Sequence, residues 1–202
     1  MSTENQSVCA VVVAAGSSRR MGGENKLLLP LCGKPVLAHT LTAFQMCGAV
    51  RDIVLVCREQ DMEVYRTLAA ENGITKLRTL TRGGDTRTES VLAGVSAASE
   101  ACALVAVHDG ARPLVSDEVI TQAVAEAAKT GAAAPVVPVK DSIKRIENGK
   151  IAADVPRDTL AAVQTPQVFR RDMLLHALLD AAANGRSFTD DCAAVEALGQ
   201  TV

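Results

Sequence analysis

The chain has 202 residues, of which 48 % are hydrophobic, and it carries a formal net charge of −2. This length and apolar content predict one globular domain, residues 1–202, rather than a disordered chain. The charge excludes the broad basic surface of a general nucleic-acid binder, and three Phe, one Tyr and no Trp leave few rings for stacking on bases. We therefore expect no nucleic-acid partner.

The N-terminal segment and the cysteines predict a cytoplasmic protein. Residues 1–16 have no basic start, and their apolar run is too short to span a bilayer, so we expect neither a signal peptide nor a membrane partner. The six cysteines form no C-x-x-C pair, and several lie in apolar runs, where Cys acts as a small hydrophobic residue. We interpret them as reduced thiols and expect no zinc site.

Short β-branched segments alternate with amphipathic helical segments along the chain. Strands are predicted at 9–15, 52–57, 76–81 and 103–113, extended chain at 132–139, and helices at 35–48, 61–73, 88–99, 116–128, 171–183 and 190–198. Gly48 is expected to end the first helix, and Ser116 to cap a later one. This alternation predicts an α/β, Rossmann-like fold, with a mostly parallel sheet, helices on both faces, and ligands bound at the carboxyl ends of the strands.

Residues 139–169 interrupt the alternation. They contain two short strand-like pieces joined by Glu-Asn-Gly-Lys, and Asn-Gly is the strongest short signal for a hairpin. The segment is too polar for a core. We interpret it as a β-hairpin arm that leaves the body of the domain, and arms of this kind commonly serve dimerisation.

The loop that follows the first strand, from Ala14 to Lys26, has a composition typical of phosphate binding. It lacks the G-x-G-x-x-G fingerprint, and the later Gly-Lys pair precedes Pro rather than Ser or Thr, so neither familiar glycine-rich motif is present. Backbone N–H groups near Gly16, together with Arg19, Arg20 and Lys26, would hold a polyphosphate and stabilise developing negative charge. The alternative is a solvated basic loop.

A second polar segment lies at the end of the strand predicted in residues 103–113. In residues 107–113, Asp109 would hold a divalent cation or a ligand hydroxyl, and Arg112 would bind phosphate or pair with a carboxylate. His108 alone is interpreted as a structural residue rather than a base, and a turn-forming role for Asp109 is the alternative. A last polar set lies in or beside the arm and the final helix: Asp141, Ser142, Arg157, Thr165, Thr189, Asp190 and Asp191.

A glycine pair precedes the predicted helix in residues 82–91. Gly83 and Gly84 would let a ligand approach the backbone closely, because neither carries a side chain. Asp85 or Thr88 would cap the helix, and Ser90 is either a ligand contact or a plain helix-surface serine.

Taken in order, these segments resemble the 2-C-methyl-D-erythritol 4-phosphate cytidylyltransferases of the non-mevalonate isoprenoid pathway. The resemblance spans essentially the whole chain, from VVVAAGSSRRM through RGGDTRTESV, VHDGARPLV, VPVKDSIKRI and TPQVF to FTDD. The A-A-G-x-x-R-R-M segment is shared with the wider sugar-nucleotidyltransferase superfamily. H-D-x-A-R-P, T-P-Q-x-F and T-D-D together are specific to the family.

The resemblance implies a homodimeric enzyme that transfers CMP from CTP to methylerythritol phosphate, releases pyrophosphate and uses Mg²⁺ through ligands that the sequence does not identify. It implies catalytic roles for Arg20 and Lys26. It implies CTP contacts from Ala14, Ala15, Gly16, Gly84, Asp85 and Ser90. It implies substrate contacts from Asp109, Arg112, Ser142, Arg157, Thr165 and Thr189, with Ser142 and Arg157 arriving on the partner's arm.

Two departures from the family pattern are visible. Ser142 stands where the family usually has Thr, which keeps the hydroxyl. The family continues into a strand with an N-[IL]-K-[IL]-T motif, whose Lys also holds the substrate phosphate, whereas this sequence ends at Val202. Two other functions stay open, a cytidylyltransferase for another polyol phosphate such as ribitol 5-phosphate, and a nucleotide-binding module without turnover.

Overall fold

A computed structural model describes residues 7–16 and 25–202. Its strands are β1 (Val8–Val13), β2 (Pro30–Leu31), β3 (Lys34–Pro35), β4 (Val50–Cys57), β5 (Leu77–Arg82), β6 (Leu104–Asp109), β7 (Ala132–Ala133), β8 (Val136–Pro138), β9 (Ile143–Glu147), β10 (Lys150–Val155), β11 (Ala161–Val163) and β12 (Gln167–Arg170). Its α-helices are α1 (Val36–Met46), α2 (Met62–Glu71), α3 (Arg87–Ala97), α4 (Asp117–Thr130), α5 (Arg171–Ala183) and α6 (Asp191–Glu196). The predicted order of strands and helices is confirmed.

The central sheet has the strand order β5-β4-β1-β6-β12-β7. The first four of these strands run parallel, and β12 runs antiparallel to both of its neighbours. Within the sheet, Val11 of β1 lies between Val54 of β4 and Val107 of β6. The predicted mostly parallel sheet is therefore confirmed.

Helices cover both faces of β1, which explains why its apolar run does not alternate with polar residues. On one face, Val11 packs in a cluster with residues of α3 and α5, including Val91 and Leu178. On the other face, Val12 packs with residues of α1 and α2, including Phe44. Because both faces of β1 are buried, a ligand can reach this strand only at its end.

The ends of two helices test the predicted caps. Ser116 caps α4 as predicted, because its Oγ accepts a hydrogen bond from the Val119 N–H at 3.3 Å. The prediction that Gly48 ends the first helix is wrong. That helix ends at Met46, and Cys47 turns to an extended conformation while its N–H still donates to the Ala43 carbonyl at 3.2 Å.

The arm contains the predicted hairpin, formed by antiparallel β9 and β10. Asn148 and Gly149 at its turn have φ of 50° and 75°, the left-handed region that an Asn-Gly turn requires. The predicted range, 139–169, extends too far at its end. Residues 165–169 are buried, and β12 joins the central sheet, because Val168 and Phe169 supply apolar core there.

All six cysteines lie within the described residues and are free thiols, with only Cys32 exposed. Burial is the largest cause that raises the pKa of Cys9 and of Cys192 to about 12. Both thiols therefore stay protonated at neutral pH and act as packing groups. None of the helices in the described part of the chain is both long and apolar enough to span a bilayer.

Candidate active site

Backbone hydrogen bonds align the loops that follow neighbouring strands of the sheet. The Ala14 N–H, just after β1, donates to the Val56 carbonyl of β4 at 2.7 Å. The Gly83 N–H, just after β5, donates to the Cys57 carbonyl at 2.9 Å. Val13 at the end of β1 pairs with Asp109 at the end of β6. The segments that the sequence singled out at the ends of β1, β5 and β6 therefore meet at the carboxyl edge of the sheet, where parallel sheets bind ligands.

The glycine pair after β5 is required by close packing against the protein's own side chains. A Cβ atom on Gly83 would lie 2.6 Å from the Ala15 Cβ and 2.8 Å from the Ser90 Oγ. On Gly84 it would lie 2.3 Å from the Glu89 Cβ. Ser90 is only 3 % exposed, so its interpretation as a helix-surface serine is wrong. The loops after β1 and β5 are thus in direct contact.

Helix α3 is capped by Thr86, and the prediction of Asp85 or Thr88 as the cap is wrong. The Thr86 Oγ1 accepts from the Glu89 N–H at 3.1 Å, and the Glu89 carboxylate accepts from the N–H groups of Thr86 and Asp85 at 3.3 and 2.7 Å. Thr88 is buried and accepts from the Phe188 N–H at 3.0 Å. The T-x-x-E spacing from Thr86 was the available signal for this capping box.

His108 is a structural residue, as interpreted from the sequence. It is fully buried, and burial is the main cause that lowers its pKa to about 4, so the ring is neutral at pH 7. Its Nε2 lies 3.1 Å from the Arg112 carbonyl oxygen and its Nδ1 lies 2.9 Å from the Thr165 Oγ1. Because a carbonyl can only accept, the ring hydrogen is on Nε2 and the Thr165 hydroxyl donates to Nδ1.

Thr165 also fixes the start of the loop after β6. Its Oγ1 lies 3.4 Å from the Asp109 N–H, as the acceptor of that group. The next residue, Gly110, donates its N–H to the Val13 carbonyl at 2.9 Å and accepts from the Thr40 hydroxyl at 2.8 Å. The backbone that carries Asp109 is therefore held by hydrogen bonds to β1, α1 and Thr165.

The Asp109 carboxylate lies between two arginines. Its Oδ2 is 2.9 Å from the Arg112 Nε, and its Oδ1 is 3.7 Å from the Arg87 Nη2. Arg112 also donates to the side-chain oxygen of Gln164. The site therefore presents a partly exposed carboxylate flanked by guanidinium groups, which suits a ligand that carries both hydroxyl and phosphate groups.

Sequence reasoning missed Arg87 and Gln167. The two terminal nitrogens of Arg87 donate to the two oxygens of Asp191, both at 2.9 Å. Gln167 accepts from the N–H groups of Asp191 and Cys192 at 2.9 and 3.3 Å through its side-chain oxygen. Arg87 and Asp191 are 104 positions apart, so no local pattern could reveal the pair.

The remaining predicted site residues are placed as follows. Asp190 caps α6 by accepting from the Ala193 N–H at 2.9 Å, and Thr189 is exposed immediately before it. Asp141, Ser142 and Arg157 are exposed on the arm, where Arg157 donates to the Lys140 carbonyl. This hydrogen bond holds the Arg157 side chain against the arm of its own chain.

The loop after β1 is described only at its two ends. Gly16 is exposed, and Arg19 and Arg20 lie outside the described residues. Lys26 is exposed beside Asn25, whose side chain donates to the Tyr65 hydroxyl at 2.9 Å and accepts from the Leu27 N–H at 3.2 Å. These contacts anchor the chain on both sides of Lys26.

Comparisons with known proteins identify the family. The family model for 2-C-methyl-D-erythritol 4-phosphate cytidylyltransferase matches residues 8–202. The chain belongs to this family. A relative with that name from Bacillus licheniformis is 44 % identical over 193 residues, which are 95 % of this chain and 83 % of the relative. Another, from Dehalococcoides mccartyi, is 42 % identical over 195 residues, which are 96 % of this chain and 84 % of the relative.

Solved structures agree with the family and the fold. The crystal structure of 4-diphosphocytidyl-2C-methyl-D-erythritol synthase from Anaerococcus prevotii superposes with a TM-score of 0.86 at 26 % identity, covering 98 % of this chain and 84 % of that one. The 2-C-methyl-D-erythritol 4-phosphate cytidylyltransferase from Thermus thermophilus gives a TM-score of 0.75 at 31 % identity, covering 96 % of this chain and 85 % of that one. The predicted family and fold class are confirmed.

Proposed function

We propose that the carboxyl edge of the sheet is where this cytidylyltransferase transfers CMP from CTP to the phosphate of methylerythritol phosphate and releases pyrophosphate. The observation that carries this assignment is the contact of Gly83 with Ala15. This contact brings the loop after β1, which is suited to binding phosphate, against the loop after β5, which is suited to binding a nucleoside. On the other side of β1 lies β6, which ends at Asp109 and is followed by the loop that carries Arg112.

The nucleotide half of the site would use backbone and small polar groups. Ala14, Ala15 and Gly16 would contact the CTP phosphates and ribose, while Gly84, Asp85 and Ser90 would face the cytosine and ribose. The capping box supports this role, because it holds the backbone around Asp85 in one conformation before the ligand arrives. The scarcity of aromatic residues makes hydrogen bonds, rather than stacking, the means of base recognition.

Arg20 and Lys26 would stabilise the charge that builds at the α-phosphorus. Fixed cations contribute most where a transition state gains negative charge, and phosphoryl-type transfers depend mainly on positioning and charge stabilisation. The anchoring of Asn25 and Leu27 supports this role for Lys26, since it fixes the chain on either side of that residue.

The polyol half would use Asp109, Arg112, Thr165 and Thr189, together with Ser142 and Arg157 from the arm of a partner subunit. Exposed apolar pairs on and next to the arm support a homodimer. Ile146 and Ile151 lie opposite each other in the hairpin, 58 % and 69 % exposed, and Val136 pairs with Val163 nearby. A second copy would cover these surfaces.

Mg²⁺ would be held mainly by the triphosphate. Within residues 7–16 and 25–202, no three His, Cys, Asp or Glu side chains are grouped to hold a metal ion. Asp109, the last residue of β6, supplies a carboxylate at this edge. One carboxylate with phosphate oxygens and water fits the preference of Mg²⁺. The ion would supply neutralisation of phosphate charge.

The free thiols are compatible with the cytoplasmic location that we also propose.

The acceptor phosphate would attack the α-phosphorus directly. A phosphate monoester has a second pKa of about 6, so at neutral pH it is mostly dianionic and needs no protein base. His108 is unsuited to that task because it is buried and bonded at both nitrogens. The protein would bind and orient the two substrates and neutralise the phosphate charge, without forming a covalent intermediate.

A panel of acceptors tests the proposed function. Pyrophosphate release is measured with CTP and methylerythritol phosphate, ribitol 5-phosphate, or no acceptor. We expect release with methylerythritol phosphate and background release in the other two reactions. Preferred use of ribitol 5-phosphate would assign the other polyol phosphate, and binding of CTP without any release would indicate a nucleotide-binding module.

A further inference from the structure

We infer that Arg87 and Asp191 are positioning residues for the polyol-phosphate substrate, acting through Asp109. The inference rests on the proposed function, because it assumes that Asp109 contacts that substrate. Neither residue belongs to the proposed set of ligand contacts. The Arg87–Asp191 ion pair nevertheless lies next to the Asp109 carboxylate.

The carboxylate of this ion pair is almost completely buried. The Asp191 side chain is 2 % exposed and that of Arg87 is 26 % exposed, and two parallel hydrogen bonds of 2.9 Å join them. Burial alone would lower the pKa of Arg87, but the carboxylates of Asp191 and Asp109 outweigh it and raise that pKa. A bidentate pair of this kind fixes the orientation of the guanidinium plane as well as the distance between the guanidinium and the carboxylate.

One nitrogen of Arg87 is shared between two carboxylates. Its Nη2 lies 2.9 Å from the Asp191 Oδ2 and 3.7 Å from the Asp109 Oδ1. Because Asp191 holds both prongs, the guanidinium lies near Asp109 without closing on it. The Asp109 Oδ1 is thereby kept available to a ligand hydroxyl. Removing the charge of Asp191 would release Arg87 onto Asp109, where it would compete with the ligand.

The same pair joins the two halves of the proposed site. Arg87 is the first residue of α3, immediately after Thr86, which belongs to the capping box that holds the Asp85 backbone. Asp191 is the first residue of α6, two residues after Thr189. The capping box does not depend on Asp191, so a change at Asp191 should disturb the polyol half and leave the nucleotide half in place.

The decisive variant is Asp191→Asn, which keeps the shape of the side chain and removes its charge. We expect the KM for methylerythritol phosphate to rise about tenfold or more, while the KM for CTP stays within about twofold. Arg87→Lys keeps the cation but loses the fork, so it should raise the same KM by less than Arg87→Met does. That ordering also tests the inference if Asp191→Asn fails to fold.

The matched control is Asp52→Asn. Asp52 is also a nearly buried carboxylate, it is paired with Arg78 at 2.9 Å, and it lies near the amino ends of the strands, at the opposite edge of the sheet. Each Asn variant removes the charge of a nearly buried carboxylate that is paired with an arginine, so both variants should lower Tm. Only Asp191→Asn should change the KM for methylerythritol phosphate.

Two results would overturn the inference in a folded Asp191→Asn or Arg87→Met protein. One is an unchanged KM for methylerythritol phosphate, and the other is an equal rise in the KM for both substrates. Failure of the proposed function looks different, because the unaltered enzyme would then release no pyrophosphate from CTP and methylerythritol phosphate.

Discussion

Gly83 and Ala15 approach so closely that a Cβ atom on Gly83 would lie 2.6 Å from the Ala15 Cβ. Gly83→Ala must therefore push the loop after β5 away from the loop after β1. Forcing a methyl group into a packed site costs about 1–3 kcal/mol. We expect a lower Tm and a KM for CTP that rises more than the KM for methylerythritol phosphate, both measured on the purified variant.

The control for this substitution is Gly48→Ala. A Cβ atom on Gly48 would meet nothing within 4 Å, and its backbone is not in the left-handed region. Tm and both KM values should stay close to those of the unaltered enzyme. If Gly83→Ala behaved in the same way as Gly48→Ala, the contact between the two loops would have no part in binding CTP.

Lys26 tests the source of catalytic charge. Loss of one preorganised donor to a charged transition state lowers kcat about a hundredfold or more. We expect that loss in Lys26→Ala, with a much smaller change in the dissociation constant for CTP, and the same result in Arg20→Ala. The measurements are single-turnover kinetics and CTP binding by calorimetry.

Lys129→Ala is the control, because Lys129 is an exposed residue of α4 paired with Glu126. It should keep the kcat of the unaltered enzyme. Near-normal kcat in Lys26→Ala would move the catalytic phosphate site away from the loop after β1.

His108 makes the free energy of unfolding depend on pH. Burial lowers the pKa of the folded protein's His108 from 6.5 to about 4, so the unfolded chain binds the extra proton between these values. The resulting stability is fully present above pH 6.5 and is lost as the pH falls toward 4. Its size is about 3 kcal/mol.

Urea unfolding between pH 7 and pH 4 measures this contribution. His108→Gln should be less stable at pH 7 and show a weaker loss of stability on acidification. The control His176→Gln removes an exposed histidine of α5 and should retain the original pH dependence. Equal slopes for His108→Gln and the unaltered protein would show that His108 is not the group responsible.

Mixed dimers test whether the arm completes the site of a partner. Lys26→Ala and Arg157→Ala should each be inactive as homodimers. After random subunit exchange of equal amounts, about half the dimers are mixed and each mixed dimer has one site with both groups intact, so roughly a quarter of the activity should return. Absence of recovery, with exchange verified by mass spectrometry, would mean that Arg157 acts within its own chain and would contradict the shared site.

Local patterns in the sequence predicted most of the fold. The unbroken apolar run of β1 indicated a strand covered on both faces, and Asn148-Gly149 indicated the hairpin turn. The cap at Thr86 was missed although its spacing was visible, because Asp85 and Thr88 are also plausible caps and only the backbone geometry distinguishes them.

Contacts between distant segments could not be predicted from one sequence. The sequence shows Asp191 only as one member of a polar cluster, and it gives no local signal for Arg87. Their pairing depends on how α3 and α6 meet at the edge of the sheet. The burial of Gln167 likewise follows from the placement of β12 beside β6 in the sheet, which the polar character of the preceding arm concealed.

The fate of the acceptor's phosphate oxygens tests the central claim most directly. The enzyme is incubated with CTP and methylerythritol phosphate whose non-bridging phosphate oxygens are ¹⁸O, and both products are analysed by mass spectrometry. Attack by an oxygen of the acceptor phosphate on the α-phosphorus of the cytidylyl group retains all of the label in the cytidylylated product and leaves the pyrophosphate unlabelled. Label in the pyrophosphate, or CMP formed in place of the cytidylylated product, would contradict the account.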